Sequence, residues 1–251
     1  MAEIPLPAVP EGQDDRGMDE ERKIMAGAVS YYEGVRDGRP WADQVEVIGP
    51  GAADAIMSGM RGWAVSASPE LAEELVARGA RVLRHAHVMS CDLEKVEPTE
   101  VEAPEGFRFV PCDRTPEQVL PAILAAYPPG HPDRPTDDDE RIGKELAPLL
   151  EGRLIGPVLP CSLLVVDSGD TVVAGVVVND FQGVPWISHA FRHPAETPPG
   201  TGALTLRAVQ VRAARSGLAA LGLAVTHANP AKRIYERLGF VVTETSMTVV
   251  V

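Results

Sequence analysis

Asn229-Pro230-Ala231-Lys232-Arg233-Ile234-Tyr235-Glu236-Arg237-Leu238-Gly239-Phe240 decides the fold, together with Pro199-Gly200-Thr201-Gly202-Ala203-Leu204 some thirty residues upstream. Between them, residues 218–225 form an apolar run that reads as a buried strand. The glycine pair opens an amphipathic helix with Leu206, Val209 and Ala213 on one side. A loop entering a helix there presents free backbone N–H groups at the positive end of the helix dipole. Glycine lets an anion approach that backbone without a Cβ in the way. Helix entries with two glycines are common, so the pair alone argues for some anion and no more.

Working outward, residues 107–110 read as a strand, and 117–127 as a helix opened by Pro116 and closed by Pro128-Pro129-Gly130. Residues 131–139 form a polar loop. Residues 140–151 have helical spacing, weakened by Gly143 and Pro148. Two strands, 162–166 and 172–178, flank a hairpin turn at 167–170, and a third covers 186–191. Residues 241–251 alternate and close the chain as one or two strands. The order predicts a mixed α/β sheet with antiparallel and parallel pairs.

The N-terminal part is organised separately. Residues 1–20 lack periodicity and read as a disordered tail. Residues 20–35 carry Ile24, Ala28, Tyr31, Tyr32 and Val35 at helical spacing, predicting a helix stopped by Gly38 and Pro40. Residues 45–48 and 62–66 read as strands, with 51–60 helical between them. Ser68-Pro69-Glu70 is a strong helix start. Gly79 stops that helix, and residues 82–89 alternate as a strand with His85 and His87 on one face. This strand, helix, glycine, strand order repeats that of residues 224–250, with Leu75 standing four before Gly79 where Tyr235 stands four before Gly239. The chain thus reads as a small α/β unit over 21–95, a charged, proline-bearing linker over 96–105, and a larger domain over 106–251.

The second domain resembles the GNAT superfamily of N-acetyltransferases. The motifs that carry the likeness are His193-Pro194, Gly200-x-Gly202-x-x-Thr205-Leu206, Leu223-Ala224-Val225, and Asn229-Pro230-Ala231 followed by Tyr235-Glu236-Arg237-Leu238-Gly239-Phe240. The resemblance implies a splayed sheet with helices on both faces, and makes the N-terminal unit a degenerate half of the same fold. It implies acyl transfer from acetyl-CoA to an amine. Backbone groups of Phe191 and Arg192 would hold the pantetheine, and the amides of Gly200, Thr201, Gly202, Ala203 and Leu204 the pyrophosphate. Asn229 would contact the cofactor, and Tyr235 would protonate the departing thiolate. A phenol has an ordinary pKa near 10, above that of a thiol, so it still carries its proton when the sulfur leaves. His189 or Asp180 would take the proton from the amine. The sequence departs from the family's pattern in two places. Thr197 stands where Arg or Gln is usual, within a proline-rich loop, and Asn229 precedes Tyr235 by six residues rather than seven.

Composition bounds the partners. The net charge of -13 disfavours nucleic acid and favours a cationic acceptor, here a small amine. Cys91, Cys112 and Cys161 are odd in number and widely spaced, so they predict free thiols in a cytoplasmic protein and no zinc site. His85 and His87 alternate as metal ligands do, but no third ligand is evident in the sequence, so a structural or interface role is favoured and no metal is expected. His189 and His227 each read as partly buried histidines beside the cofactor gap. The Asp137-Asp138-Asp139-Glu140 run reads as a solvated helix start. No apolar run reaches the roughly 20 residues of a membrane helix, and residues 1–17, proline- and acid-rich without an apolar core, do not read as a signal peptide or a membrane anchor. The expected activity is acetylation of a small amine by direct attack in a ternary complex, by a monomer or homodimer. The rivals are a non-catalytic acyl-CoA-binding or scaffold protein and a protein N-acetyltransferase.

Overall fold

The computed structural model describes residues 23–36, 38–134 and 138–251. Its contacts divide these residues into two compact units, one of 88–225 and 229–242, the other of residues up to 87 with 226–228 and 243–251. The division falls at His87 and not within 96–105. That segment is held in place: Val96 is buried, and Arg207 and Arg215 donate to the carbonyls of Glu97 and Pro98 at 3.1 and 2.8 Å. The expected tail, residues 1–20, lies outside the described residues.

The N-terminal unit begins with β1 (Lys23–Ala26) and β2 (Val29–Arg36), an antiparallel hairpin that turns at Gly27 with φ 61°. The helix predicted over 20–35 is therefore corrected to two strands, residues 20–22 lying outside the described set. Val29 and Tyr31 enter the core, Ser30 between them is buried too and donates to Glu46 of the next strand, and the Tyr31 ring meets the Trp63 ring edge-on at 6.1 Å. Aromatic and β-branched side chains favour such a half-buried pleated surface. β3 (Arg39–Val47) pairs antiparallel with β2 and, after α1 (Ala52–Gly59), parallel with β4 (Ala64–Ala67). α2 (Pro69–Ala77) starts as its sequence predicts, with Ser68 capping the Leu71 N–H and Pro69 in the first turn. β5 (Arg81–Asp92) follows. Residues 247–250 pair antiparallel with β4, and Ile56, Leu71, Leu75, Val65 and Val249 close the core.

The larger unit runs β6 (Arg108–Pro111), α3 (Pro116–Ala126), α4 (Asp139–Leu150), β7 (Leu163–Val166), β8 (Val172–Phe181), β9 (Val184–Arg192), α5 (Thr201–Arg215), β10 (Ala220–Thr226), α6 (Lys232–Arg237) and the first residues, 240–242, of β11 (Phe240–Val250), whose remainder belongs to the N-terminal unit. Its strands lie in the order β10-β9-β8-β7-β6; β10 is parallel to β9 and the other pairs are antiparallel. Side chains alternate between two cores, as strand geometry requires. Leu163, Val176 and Val178 pack with α5, whereas Leu164, Val166 and Val177 pack with α3 and α4. Gly143 does not break α4; it lets the helix approach α3, where a Cβ would sit 3.1 Å from Leu120 Cδ2. Asp138 caps α4 by accepting the Glu140 and Arg141 N–H groups.

The two units repeat one topology. In each, an antiparallel hairpin (β2–β3, β8–β9) is followed by a helix and then by a strand parallel to the hairpin's second member (β4, β10). In each, that helix starts at a left-handed glycine with no side-chain cap, Gly51 at φ 81° and Gly200 at φ 94°. In each, the hairpin's second strand carries one extra residue, so its register shifts.

Candidate active site

The site of the larger unit begins with a fault in the sheet. Val177 pairs with His189 and Val178 with Ile187, so Ser188 is an extra residue on β9. Bulges of this kind bend a strand and end its pairing on one side. β9 and β10 are in register only at Trp186–Gly222 and Ile187–Leu223, immediately before the bulge. β9 then continues along β8 as far as Arg192 while leaving β10, so the backbone of residues 188–192 has one edge without a strand partner. Ser188 anchors the bulge by donating to Asn179 Oδ1 at 2.7 Å. Asn179 is fully buried, and its amide donates to the carbonyls of Leu149 and Gly156. In the N-terminal unit β3 and β4 pair again beyond their register shift, at Val45–Ala67, so among the described residues the gap between them is shorter.

The loop after β9 delivers α5 to that edge. Arg192 braces it from within, its guanidinium donating to Thr197 Oγ1 at 3.1 Å and reaching the carbonyls of Pro194 and Thr197. Thr197 is buried and donates to the His193 carbonyl at 2.8 Å. Thr201 ties off the start of the helix by donating to the Pro198 carbonyl, and the Leu204 N–H reaches the Gly200 carbonyl. The N–H groups of Gly202 and Ala203 precede the first intrahelical bond, and neither has a partner among the described residues. A Cβ on Gly202 would lie 3.9 Å from Arg192 Cβ, which places this first turn at the end of β9. Leu204 is exposed at the next position.

On α6, Tyr235 is 8% exposed, with its ring edge toward Phe240 at 5.9 Å. Burial, then the charge of Asp133, pushes its phenol well above the ordinary tyrosine range. Tyr127 at the end of α3 is shifted the same way, by burial first and then by Tyr235 and Asp133, and it donates to the Ala190 carbonyl of β9 at 2.8 Å. Asn229, also buried, donates its amide to Asp133 Oδ2 and accepts the Ala231 N–H at 2.8 Å. The segment after α3 is held by Arg134, which donates to the Tyr127 carbonyl at 2.6 Å and pairs with Asp139. Tyr127, Asp133, Asn229 and Tyr235 thus form one group beside β9. The sequence puts Tyr127 at the end of a predicted helix and Asp133 in a polar loop; 96 residues separate Asp133 from Asn229, and no local signal links them.

The remaining expected residues fall in different places. His189 is on the freed stretch of β9; its Nδ1 is buried without a hydrogen-bond partner among the described residues. Burial lowers its pKa to about 4, so the ring is neutral near pH 7. Phe191 offers backbone only, since its ring packs against Gly175, where a Cβ would lie 2.7 Å from Phe191 Cζ. Asp180 is not brought to the group. It closes the β8–β9 turn by accepting the Gly183 N–H at 2.8 Å, and pairs with Pro185, about 13 Å along the strand from His189 at roughly 3.3 Å per residue. His227 lies with His85 and His87 in the N-terminal unit, so those two have a third imidazole beside them that the sequence did not reveal.

Comparison with solved structures decides the fold. A GCN5-related N-acetyltransferase from Sphaerobacter thermophilus superposes with a TM-score of 0.62 over 88% of this chain and 76% of its own, at 19% identity. This chain has the GNAT fold. A tandem GNAT protein from the clavulanic acid biosynthesis pathway, solved without acetyl-CoA, gives 0.59 over 88% and 78% at 15% identity. A GCN5-related N-acetyltransferase from Kribbella flavida gives 0.53 over 91% and 88% at 18% identity. No protein-family model and no curated protein matches the sequence. The tandem GNAT neighbour accords with the repeated topology of the two units, the N-terminal one being a worn copy of the GNAT arrangement. Among the described residues no helix is long and apolar enough to cross a membrane.

Proposed function

We propose that the larger unit is an acetyl-CoA-dependent N-acetyltransferase that acetylates the amine of a small molecule by direct attack. The observation that carries this reading is the coincidence of the unpaired edge of β9 with the open first turn of α5. A pantetheine arm is an amide chain and needs backbone donors and acceptors in an extended array, which residues 188–192 supply on one edge. A pyrophosphate needs donors at a positive helix end, which Gly202 and Ala203 supply. The two lie next to one another at Arg192 and Gly202.

In the proposed reaction the amine nitrogen attacks the thioester carbonyl, a C–N bond forms and the C–S bond breaks. The proton lost by the amine ends on the sulfur, giving amide and free thiol. Backbone N–H groups at the Ser188 bulge steady the developing oxyanion. Tyr235 stands protonated throughout. Its raised pKa makes full transfer to a thiolate costly at about 1.4 kcal/mol per unit, so its part is to donate a hydrogen bond to the sulfur as charge develops. His189, neutral and with a pKa of about 4, is a weak base and suits hydrogen bonding to the acceptor better than removing its proton. Asp133, the group's one carboxylate, attracts a cationic amine, which gives one proton to water before its lone pair attacks. The acidic net charge favours such acceptors, and three free thiols fit a cytoplasmic setting.

Release of free thiol from acetyl-CoA, followed across a panel of small primary amines and short peptides, tests the reading. Amine-dependent thiol release supports it. Saturable acetyl-CoA binding with no release across the panel would establish a non-catalytic acyl-CoA-binding protein instead, and release with peptides alone a protein acetyltransferase.

A further inference from the structure

Away from the proposed active site, the N-terminal unit gathers three histidines that neither its core nor the acetyltransferase reading uses. We infer that His85, His87 and His227 form a binding site for a divalent transition-metal ion of the zinc type. All three belong to the same compact unit, and one ligand nitrogen from each lies within 4.8 Å of the others.

The chain builds this convergence in two steps. His85 and His87 are two residues apart on β5, so their side chains leave the same face. His227, just past β10, is docked by its own backbone: its N–H donates to the His85 carbonyl at 2.8 Å. The ring centres are 5.2 Å apart for His85 and His87, 5.1 Å for His87 and His227, and 4.2 Å for His85 and His227. Three imidazoles on a tetrahedral zinc ion, with Zn–N about 2.0–2.1 Å and the ring centre about 1.1 Å behind the nitrogen, put their centres about 5.2 Å apart. Two of the three spacings already match. The stacked His85–His227 pair, with centres 4.2 Å apart and planes only 9° from parallel, has to part by about 1 Å and one ring has to turn out of the stack, since an ion lies in the plane of each imidazole that binds it.

The nitrogens are turned inward. His87 Nε2 lies 2.8 Å from His227 Nδ1, and His87 Nδ1 lies 2.8 Å from Thr245 Oγ1. In the metal-bound form His87 donates Nδ1–H to Thr245, which fixes the ring and leaves Nε2 to ligate. His227 carries its proton on Nε2 and ligates through Nδ1. The burial is graded as well, with His87 7% exposed, His85 intermediate and His227 exposed. That gives a ligand floor and a mouth open to solvent for a fourth ligand such as water. An all-imidazole set selects zinc, cobalt, nickel or copper over calcium or magnesium, which require oxygen ligands. The ion would clip β5 to the segment that follows β10.

The test uses full-length, untagged protein freed of metal with a chelator. Calorimetric titration with ZnCl2 is expected to show one ion bound per chain, and CoCl2 to give the strong visible bands of four-coordinate cobalt. H227A, at an exposed position, and H85A are each expected to weaken zinc binding by at least about 100-fold, and T245V by about 10- to 100-fold, with unchanged far-UV circular dichroism. The inference is overturned by the absence of saturable zinc uptake, or by uptake whose affinity and stoichiometry persist in H227A and H85A. Because zinc binding is read directly, the outcome is independent of whether the larger unit acetylates anything.

Discussion

Gly202→Asp separates the folding of the larger unit from its proposed ligand. The position is helical, and a Cβ there meets nothing closer than Arg192 Cβ at 3.9 Å. The substitution therefore fits without strain. It also removes the helix-propensity cost of glycine, a few tenths of a kcal/mol relative to Asp, and places a carboxylate in the first turn, worth roughly 0.3–1 kcal/mol. Stability should stay level or rise slightly. The same carboxylate would stand where the Gly202 and Ala203 N–H groups face the pyrophosphate. At about 4 Å, each like-charge pair costs about 1 kcal/mol in water and about 4 kcal/mol near a protein surface. Acetyl-CoA affinity should fall between 10- and 1,000-fold, and the loss should shrink at high salt. Calorimetry with acetyl-CoA, paired with urea unfolding, reads both quantities. An unchanged affinity in a variant of unchanged stability would refute the placement of the phosphates.

Three further outcomes follow from the same geometry. Tyr235→Phe should lower kcat for amine-dependent thiol release by about 10- to 100-fold, toward the low end of acid–base contributions, with little change in KM for acetyl-CoA; unchanged turnover would remove the phenol from the chemistry. Gly156→Ala should destabilise the larger unit by more than about 3 kcal/mol, since Gly156 has φ 116° and a Cβ would lie 1.9 Å from the Asp180 carbonyl oxygen; a urea midpoint within error of wild type would contradict the packing. For His189, the folded-state pKa of about 4 lies below the ordinary 6.5, so the unfolded chain binds more protons between those values and stability falls as pH drops from 6.5 toward 4. The ceiling is about 3 kcal/mol, and His189→Gln should flatten the slope measured by urea unfolding across that window.

Much of the larger unit is legible in the sequence because its signals are local. Gly200, Gly202 and the Tyr235 helix sit within a short span, and the strands around them alternate cleanly. The N-terminal hairpin is not legible because Ile24, Ala28, Tyr31, Tyr32 and Val35 fall at i, i+4, i+7, i+8 and i+11, a helical pattern, and do not keep one strand parity. The turn at Gly27 and the contact of Tyr31 with Trp63 settle it, and the latter is tertiary. The bulge at Ser188 left no mark in the sequence, since one extra residue shows only when a partner strand is counted against it. Asp133 meets Asn229, and His227 meets His87, across 96 and 140 residues. Asp180 carried the right chemistry but stands in a tight turn, where its carboxylate serves the backbone.

The central claim is that acetyl-CoA lies along the freed edge of β9 with its pyrophosphate on the first turn of α5. Amide chemical shifts recorded during an acetyl-CoA titration test it most directly. The expected result is saturable movement of the Gly202 and Ala203 amides together with those of residues 188–192. No movement up to millimolar acetyl-CoA, or movement confined to other residues, would contradict it.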